Sequence, residues 1–462
     1  MTGQTAPQPP LKSLIGQEIA SVWRLALPLA AVQVGSKIKG LVDTAIVGRL
    51  GETELAGVGL ATGFFFLVMI FGIGVMMGFD PLIAQAMGAN EPAKARRMMW
   101  QSVWLAILLG LALTLPVVLM PELFTLTGIE ADVAAEAAIY MRVRAIGLVP
   151  GILFYALRGY LQSARATPAL LFSMLVGNVF NFLGTWLLVF GGADLPDWTG
   201  PLQQVPSFGV AGAAAVTVVS TVIESLILVV GVWRIKTPGP ISRRPRPRLL
   251  LKAMRFGGPV GLQYSAEVGV FALAGFFAGQ LGALEMAAHQ VALMLASTTF
   301  TVAKGISSAG AVCVGRAIGA LDGLRARVSG FVAVAMGTAF MGVAGVAFWL
   351  WPAQLASILT SEARVIEVAA PLLFVAAVFQ LSDGLQAVGS GILRGLGDTR
   401  FSFSMNIAGH YGVGLPISLL LGFGLDMGIE GLWWGLCAGL TVVGVGLLVR
   451  FDRLSRRPAA RL

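Results

Sequence analysis

Three carboxylates in this 462-residue sequence stand inside long apolar runs, where an ionisable side chain is costly. Asp43 lies in VDTAIVGRLG, Glu267 lies in QYSAEVGVF and Asp383 lies in FQLSDGLQAVG. A carboxylate removed from water is stabilised by a proton or a cation, because either one neutralises its charge. We therefore predict that these acids couple cation movement to transport, with Glu267 and Asp383 as a candidate Na⁺ site. The alternative is that each acid is merely paired with a neighbour.

Several polar side chains on the same or neighbouring apolar runs are candidates for lining a substrate cavity. They are Asn178, Asn181, Thr185, Thr217, Tyr264 and Gln290. Asn181 and Thr185 are one helical turn apart, so they share a helix face. For Asp80 and Glu224, which stand nearer the ends of their runs, we expect simple pairing rather than coupling. His289 is expected to be a packed, hydrogen-bonded residue.

Basic side chains inside apolar runs are the candidates for counter-charges. They are Lys37, Lys39 and Lys304, and Arg142 and Arg144 lie near the start of another run. Lys39 precedes Asp43 by four residues, which places both on one helix face. This spacing predicts a Lys39–Asp43 ion pair that would hold Asp43 ionised and leave cation coupling to Glu267 and Asp383.

The elements that must position these groups are membrane-spanning helices. The chain is 56% hydrophobic and only 12% charged, against about 25% charged residues in soluble proteins. Its long, continuous apolar runs favour helices, each needing about 20 residues to cross a bilayer. The predicted fold is all-α integral membrane with twelve transmembrane helices. Their predicted ranges are 20–47, 55–87, 97–120, 134–162, 167–191, 208–233, 253–280, 286–318, 327–351, 365–393, 400–423 and 428–450.

The distribution of charge between the spans predicts the orientation of the chain. Connections after even-numbered spans are basic, most clearly the run from Arg234 to Lys252, whereas connections after odd-numbered spans are acidic, including Asp194 and Asp197. Since Lys and Arg stay on the cytoplasmic side, both termini are predicted to be cytoplasmic. The net charge of +9 is therefore explained by the basic residues that orient the chain in the membrane, and a nucleic-acid partner is not expected.

An internal repeat divides the chain into two halves. Arg24 faces Arg255, an offset of 231 residues that also relates Gly48 to Gly279. Since each half has six spans, both insert with the same orientation, which predicts two pseudo-symmetric six-helix lobes in a parallel repeat that rock to alternate access. The predicted segments are an N-terminal tail (1–18), an N-terminal lobe (19–233), a basic linker (234–252), a C-terminal lobe (253–450) and a C-terminal tail (451–462).

Together these motifs resemble the multidrug and toxic compound extrusion (MATE) family of transporters, NorM-like type, over essentially the whole chain after about Ile19. The segments that carry the resemblance are VDTAIVGRLG at 42–51, PLIAQAMGANEPAKARR at 81–97, AAHQVAL at 287–293, GISSAGAVCVGRAIGALD at 305–322 and RGLGDTR at 394–400, with GLPISLLLGFG and GIEGLWWGL near the C-terminus. The twelve spans, two lobes and cytoplasmic termini of that family agree with the pattern of charge and periodicity.

The resemblance implies export of cationic, amphipathic small molecules by antiport with Na⁺ or H⁺, from a bacterial inner membrane. It implies no cofactor beyond the coupling ion, a lipid bilayer as surroundings, and a monomer. Asp43 and Asn181 match the family's polar positions in the N-terminal lobe, and Glu267 and Asp383 match its acids in the C-terminal lobe. Thr185 stands where the family often has Asn or Asp, which weakens the polar site of the N-terminal lobe.

Other functions stay open on the sequence alone. A flippase for lipid-linked or anionic polar substrates of the same superfamily is favoured by the basic residues within the spans. A membrane enzyme is not expected, because the sequence has no nucleophile elbow, no Gly-rich phosphate loop and only two histidines. A channel fits less well, because off-axis carboxylates in a repeat suit alternating access better than an open pore.

Overall fold

The structure is a computed structural model that describes residues 10–124, 128–193, 195–239 and 241–462. The first nine residues of the predicted N-terminal tail, and Asp194 of an acidic connection, lie outside the described residues. Every regular element among the described residues is helical, which confirms the all-α prediction. This agrees with the requirement that backbone polar groups in lipid be satisfied within the chain.

The α-helices are numbered in chain order. They are α1 Leu11–Val47, α2 Glu52–Met77, α3 Asp80–Gly88, α4 Pro92–Leu119, α5 Pro121–Phe124, α6 Ala131–Ala145, α7 Leu148–Ser163, α8 Thr167–Phe190, α9 Gly209–Arg234, α10 Pro247–Leu281, α11 Ala283–Gly319, α12 Gly323–Leu350, α13 Pro352–Ser357, α14 Ala363–Leu396, α15 Thr399–Ile407, α16 Leu415–Leu419 and α17 Gly428–Ser455. A 3₁₀ segment covers Asp197–Gln204, and π-helical turns at Ala408–Gly414 and Leu420–Gly424 extend α15 and α16.

The number of apolar spans agrees with the predicted twelve. Eleven helices in the described part of the chain are long and apolar enough to cross a membrane, and the count is twelve when α6 and α7, which are bent by 49° at the break between them, are taken as one span. The bend falls where Ile146 and Gly147 close the end of α6 with short-range hydrogen bonds to Val143 and Arg144. Pro150 follows in the first turn of α7, where a missing backbone N–H costs least.

Three helices extend into segments predicted as tail or linker. Helix α1 begins at Leu11, α10 begins at Pro247, and α17 continues to Ser455. The extra turns of α1 are held by contacts rather than by hydropathy, since the Glu18 carboxylate is buried and accepts hydrogen bonds from Arg325 at 2.7 Å and Ser329 at 2.6 Å. Hydropathy cannot detect such a turn, because its polar residues resemble those of a solvated tail.

The chain forms two compact units. Unit 1 comprises Met1–Ala30, Ala84–Glu91 and Ala274–Leu462, and unit 2 comprises Ala31–Ile83 and Pro92–Leu273. The first helix of each repeat, α1 or α10, therefore contributes its N-terminal and C-terminal parts to different units. The predicted lobes were defined by the position of the basic linker and not by contacts between residues, so their boundaries stay a prediction.

Each unit has its own apolar core. In unit 2 a cluster centred on Phe65, Tyr140 and Met141 joins α2 and α6 to α1, α8 and α9. In unit 1 the largest fully buried side chain is Trp433 on α17, which packs against Phe379 of α14 with ring centroids 5.3 Å apart. These cores fix the helix faces that carry the polar groups of each unit.

The structure keeps the 231-residue offset at the level of helix ends. Helix α2 begins at Glu52 and α11 at Ala283, and α4 begins at Pro92 and α12 at Gly323. Asn90 and Leu321, which are also related by the offset, are two of the four non-glycine residues with positive φ among those described. The repeat is therefore preserved in local backbone geometry as well as in sequence.

Two arginines related by the repeat bind near the C-terminus of the last helix of each half. In unit 2, Arg96 donates from Nη2 to the carbonyl oxygens of Val232 at 2.8 Å and Ile235 at 2.5 Å, at the C-terminus of α9. In unit 1, Arg327 donates from Nη2 to Asp452 Oδ1 at 2.6 Å, near the C-terminus of α17. A cation at a helix C-terminus is favourable because it satisfies free carbonyl groups and complements the helix dipole.

A close backbone contact within unit 1 depends on two glycines related by the repeat. A Cβ at Gly88 would overlap the carbonyl oxygen of Arg316, and a Cβ at Gly319 would overlap the carbonyl group of Gln85. The ends of α3 and α11 therefore approach through their backbones, which only glycine permits.

We expect Gly319→Ala to lower the free energy of unfolding by ~1–3 kcal/mol, because the added methyl meets backbone that cannot move aside cheaply. The control is Gly63→Ala on α2, where a Cβ would meet nothing within 4 Å and alanine is the better helix former. Thermal unfolding of the purified proteins in detergent measures both. Equal midpoints for the two variants would contradict the close-contact interpretation.

Candidate functional site

Asp43 is buried in unit 2 and is held by uncharged hydrogen-bond donors from two other helices. Its side chain on α1 is only 7% exposed. Thr217 of α9 donates to Oδ2 at 2.8 Å, and Thr185 of α8 donates to Oδ1 at 3.2 Å. The structure thus joins three residues that the sequence predicted as candidates, and Thr185 contributes directly despite lacking the amide or acid common at its position.

Asn181 orders the two hydroxyl groups around Asp43. Its Nδ2 amide donates to Thr185 Oγ1 and to Thr217 Oγ1, each at 3.4 Å. The NH₂ group of the amide can only donate, whereas each hydroxyl can either donate or accept. The cation that interacts electrostatically with Asp43 is Arg144 of α6, whose guanidinium also stacks 4.4 Å from the centroid of the Phe65 ring.

The predicted ion pair between Lys39 and Asp43 is wrong. Lys39 Nζ lies 2.8 Å from Glu224 Oε1 and donates to Ser220 Oγ at 3.2 Å. The spacing of four residues does place Lys39 and Asp43 on one side of α1, but the lysine side chain turns to an acid on α9. Glu224 is therefore a paired residue, as expected, and Lys39 is not the ion-pair partner of Asp43.

Ser220 is a site residue that the sequence interpretation missed. It lies on α9 between Thr217 and Glu224, and the spacings of three and four residues place all three on one helix face. The helical spacing of these three polar residues could have revealed Ser220 from the sequence. Polar side chains are costly in lipid, so a row of them along one face of an apolar helix indicates that this face contacts protein or a cavity.

A cavity of about 320 Å³ opens beside this cluster within unit 2. Its lining includes Lys39, Asn178, Asn181 and Phe182 together with apolar side chains. Asn178 donates to the Met174 carbonyl oxygen at 3.0 Å, and its Oδ1 has no hydrogen-bond partner among the described residues. The cavity thus combines an aromatic ring, aliphatic walls and a buried acceptor, which suits an amphipathic ligand.

Glu267 is also buried in unit 2, on α10. It is 7% exposed, and Tyr264 one turn earlier is 9% exposed. Tyr264 packs in an apolar cluster with Ile70, Ile73 and Val260. The predicted coupling role of Glu267 stays a prediction, and so does the predicted cavity role of Tyr264.

Asp383 is buried in unit 1, on α14, with 4% of its surface exposed. The helix carries other buried polar groups near it: Gln380 donates to Thr299 at 2.7 Å, and the hydroxyls of Ser382 and Thr441 are 2.7 Å apart. Since Asp383 and Glu267 belong to different units, the candidate Na⁺ site formed by both acids stays a prediction.

The remaining candidates of unit 1 differ in burial. His289 is 1% exposed and accepts at Nδ1 a hydrogen bond of 3.1 Å from the Trp433 indole, so it is a packed residue, as expected. Its neighbour Gln290 is exposed. Lys304 lies 5.6 Å from the centroid of the Phe300 ring. In unit 2, Lys37 is half-buried, and its predicted role as a counter-charge stays a prediction.

Comparison with known proteins identifies the family to which this chain is similar. The MatE family model matches residues 28–187 and 259–420. The chain is 34% identical over 447 residues to a probable multidrug resistance protein NorM of Agrobacterium fabrum, covering 94% of this chain and 93% of that protein. It is 33% identical over 456 residues to the multidrug resistance protein NorM of Burkholderia vietnamiensis, covering 97% and 96%.

Solved structures share the fold. The eukaryotic MATE transporter AtDTX14 superposes with a TM-score of 0.84 at 22% identity, covering 96% of this chain and 99% of that one. A MOP superfamily transporter from Pyrococcus furiosus, described as having a binding pocket of reverse polarity that suggests a different function, superposes with a TM-score of 0.83 at 21% identity, covering 98% and 100%. At these identities the likeness concerns the fold.

The Lys39–Glu224 pair gives a prediction about stability. Lys39→Leu leaves the Glu224 carboxylate buried without its cation, so we expect a loss of ~3–5 kcal/mol in the free energy of unfolding. The double variant Lys39→Leu/Glu224→Leu removes the unpaired charge and should recover most of that loss. Thermal midpoints in detergent measure the difference, and a double variant less stable than Lys39→Leu would refute the pairing.

Proposed function

This chain belongs to the MatE family and is a NorM-type multidrug efflux transporter, and from this we propose that it exports cationic amphipathic compounds by antiport with Na⁺ or H⁺. The observation that carries the proposal is the setting of Asp43. Its carboxylate is buried with hydroxyl donors from Thr185 and Thr217, and the lysine nearest in sequence is engaged by Glu224. Such a carboxylate is only partly compensated and so attracts a mobile cation.

The hydroxyl groups around Asp43 suit a carboxylate that changes its charge. When Asp43 is ionised, both hydroxyls donate to it. When Asp43 is protonated, a hydroxyl can rotate and accept a hydrogen bond from the carboxylic acid O–H instead. The Asn181 amide continues to donate to the hydroxyl oxygens in either state. The cluster can therefore take up and release a cation without leaving a buried polar group unpaired, which would cost ~1–3 kcal/mol.

The same cluster offers oxygen atoms to Na⁺. Carboxylate, hydroxyl and carbonyl oxygens suit hard cations, and Asp43, Thr185 and Thr217 bring the first two kinds together. Glu267 and Asp383 are the further candidate coupling acids, each buried in its own unit. In the proposed cycle, cation binding to these acids and drug binding to the cavity favour opposite-facing states of two lobes.

We propose that the transporter lies in the bacterial inner membrane with both termini in the cytoplasm. The multi-pass chain resembles bacterial NorM proteins, which supports the inner membrane as its location. The basic connections after even-numbered spans support cytoplasmic termini. We propose that the transporter acts as a monomer and needs no cofactor beyond the coupling ion.

The alternative substrate class is an anionic or lipid-linked polar molecule. The reverse-polarity pocket described for the Pyrococcus furiosus transporter shows that this class merits a direct test. The basic residue that lines the cavity of unit 2 is Lys39, and its charge is neutralised by Glu224. This pairing favours cationic substrates over anionic ones.

We expect Asp43→Asn, Glu267→Gln and Asp383→Asn each to reduce dye efflux at least ~10-fold, because each removes a buried negative charge that attracts the coupling cation. Efflux of a fluorescent cation from intact cells measures the effect, with membrane content checked by immunoblot. The control is Glu362→Gln, which alters an exposed acid outside the spans. Wild-type efflux in all three buried-acid variants would place coupling elsewhere.

The driving ion and the substrate class can be separated in vesicles of purified protein. We expect uptake of a dye cation into inverted vesicles to stop when one gradient, of Na⁺ or of pH, is collapsed, and to continue when the other is collapsed. A lipid-linked anion should not be moved under either gradient. Movement of the anion without movement of the cation would establish the alternative.

A further inference from the structure

The segment around the basic linker carries eight exposed basic residues and lacks any acid between positions 225 and 266. They are Arg234, Lys236, Arg243, Arg244, Arg246, Arg248, Lys252 and Arg255. None of them takes part in an ion pair within the described part of the chain. The segment, here called the basic linker patch, therefore presents uncompensated positive charge.

Several basic residues in unit 1 are neutralised by acids. Arg325 pairs with Glu18 at 2.7 Å, Arg327 with Asp452 at 2.6 Å, and Arg450 with Asp398 at 2.7 Å. A topology signal needs only the presence of Lys and Arg on the correct side, and neutralised residues serve that purpose too. The absence of acids from the basic linker patch thus leaves a surplus of charge that topology does not require.

The backbone of the patch is held in place by α4 within unit 2. The Gln101 side chain, which is fully buried, accepts from the Arg246 backbone N–H at 2.7 Å and donates to the Arg244 carbonyl oxygen at 3.0 Å. Trp104 donates from its indole to the Arg243 carbonyl oxygen at 2.7 Å. Proline at positions 245 and 247 restricts the backbone further, so the guanidinium groups start from fixed points.

Exposed apolar side chains flank these charges. Trp104 is 37% exposed although its indole is engaged by the linker, Leu251 is 73% exposed, and Trp233 at the end of α9 is 69% exposed. Tryptophan is enriched where hydrocarbon meets lipid headgroups, because its ring is apolar and its N–H is polar. The arrangement of apolar side chains beside arginines matches a surface that faces both acyl chains and headgroups.

We propose that the basic linker patch binds the headgroups of acidic phospholipids, with Arg244 and Arg246 as the principal contacts. Clusters of four to eight Lys or Arg beside a transmembrane helix attract acidic lipid headgroups. Guanidinium groups bind phosphate through paired hydrogen bonds. The buried Gln101 holds the backbone at Arg244 and Arg246 before the lipid arrives, so less backbone conformational entropy is lost on binding.

The experiment titrates detergent-solubilised, full-length protein into phosphatidylglycerol that carries a fluorophore on an acyl chain, and follows fluorescence anisotropy. Unlabelled phosphatidylglycerol should displace the probe, whereas phosphatidylcholine and inorganic phosphate should not. Binding should weaken as salt rises, because the attraction is screened. The variant Arg244→Gln/Arg246→Gln should weaken binding at least ~10-fold, since each basic residue near an anionic surface contributes about fivefold.

Two variants separate the patch from charge in general. Arg453→Gln/Arg457→Gln removes two exposed arginines of the C-terminal segment that form no ion pair in the described chain, and it should change affinity less than about twofold. Gln101→Leu keeps every charge but releases the linker backbone, and it should weaken binding of phosphatidylglycerol at least ~3-fold because the arginines are no longer held in place. Glu267→Gln should bind the lipid as the wild type does, so this test is independent of the coupling mechanism.

Three results would overturn the proposal. Equal loss in the two double-arginine variants would show that charge alone attracts the lipid. Displacement by inorganic phosphate as effective as that by phosphatidylglycerol would show a site for small anions. Unchanged binding by the Arg244→Gln/Arg246→Gln variant would place any lipid site elsewhere on the protein.

Discussion

The cost of removing a carboxylate from water governs the organisation of unit 2. Two acids there are compensated in different ways. Glu224 pairs with the ammonium group of Lys39 at 2.8 Å, which neutralises its charge. Asp43 takes hydroxyl donors from Thr185 and Thr217, which satisfy its hydrogen-bonding needs but do not neutralise it. Neighbouring turns of α1 and α9 thus hold one acid in an ion pair and the other among hydroxyl groups, and this difference is the basis of the proposed coupling role of Asp43.

The scaffold that holds these groups is a repeat whose equivalent positions serve equivalent structural needs. Arg96 and Arg327 each close the last helix of their half, and Gly88 and Gly319 each permit a backbone contact within unit 1. The polar residues have diverged between the halves, since residue 274, which the repeat relates to Asp43, is a buried alanine. Structural positions have thus been retained in both halves, whereas the candidate coupling acids occupy different positions in each.

Much of the fold and part of the candidate site could be predicted from local signals. Hydropathy located the spans, because lipid imposes the same requirement on every crossing segment. The same rule singled out Asp43, Glu267 and Asp383 as buried acids. The partner of Lys39 could not be predicted in this way. The spacing along α1 indicated Asp43 as the partner of Lys39. Whether Lys39 pairs with Asp43 or with Glu224 depends on which helix packs against α1.

The sequence by itself determined that the chain crosses a membrane about twelve times, that its halves repeat, and which acids are buried, since these depend on the composition and periodicity of single segments. Only the tertiary structure decided that α8 and α9 meet α1, which gives Asp43 its hydroxyl donors and Glu224 its lysine. The physical reason is that a long lysine side chain reaches several neighbours, and the one it pairs with is fixed by packing between helices distant in sequence.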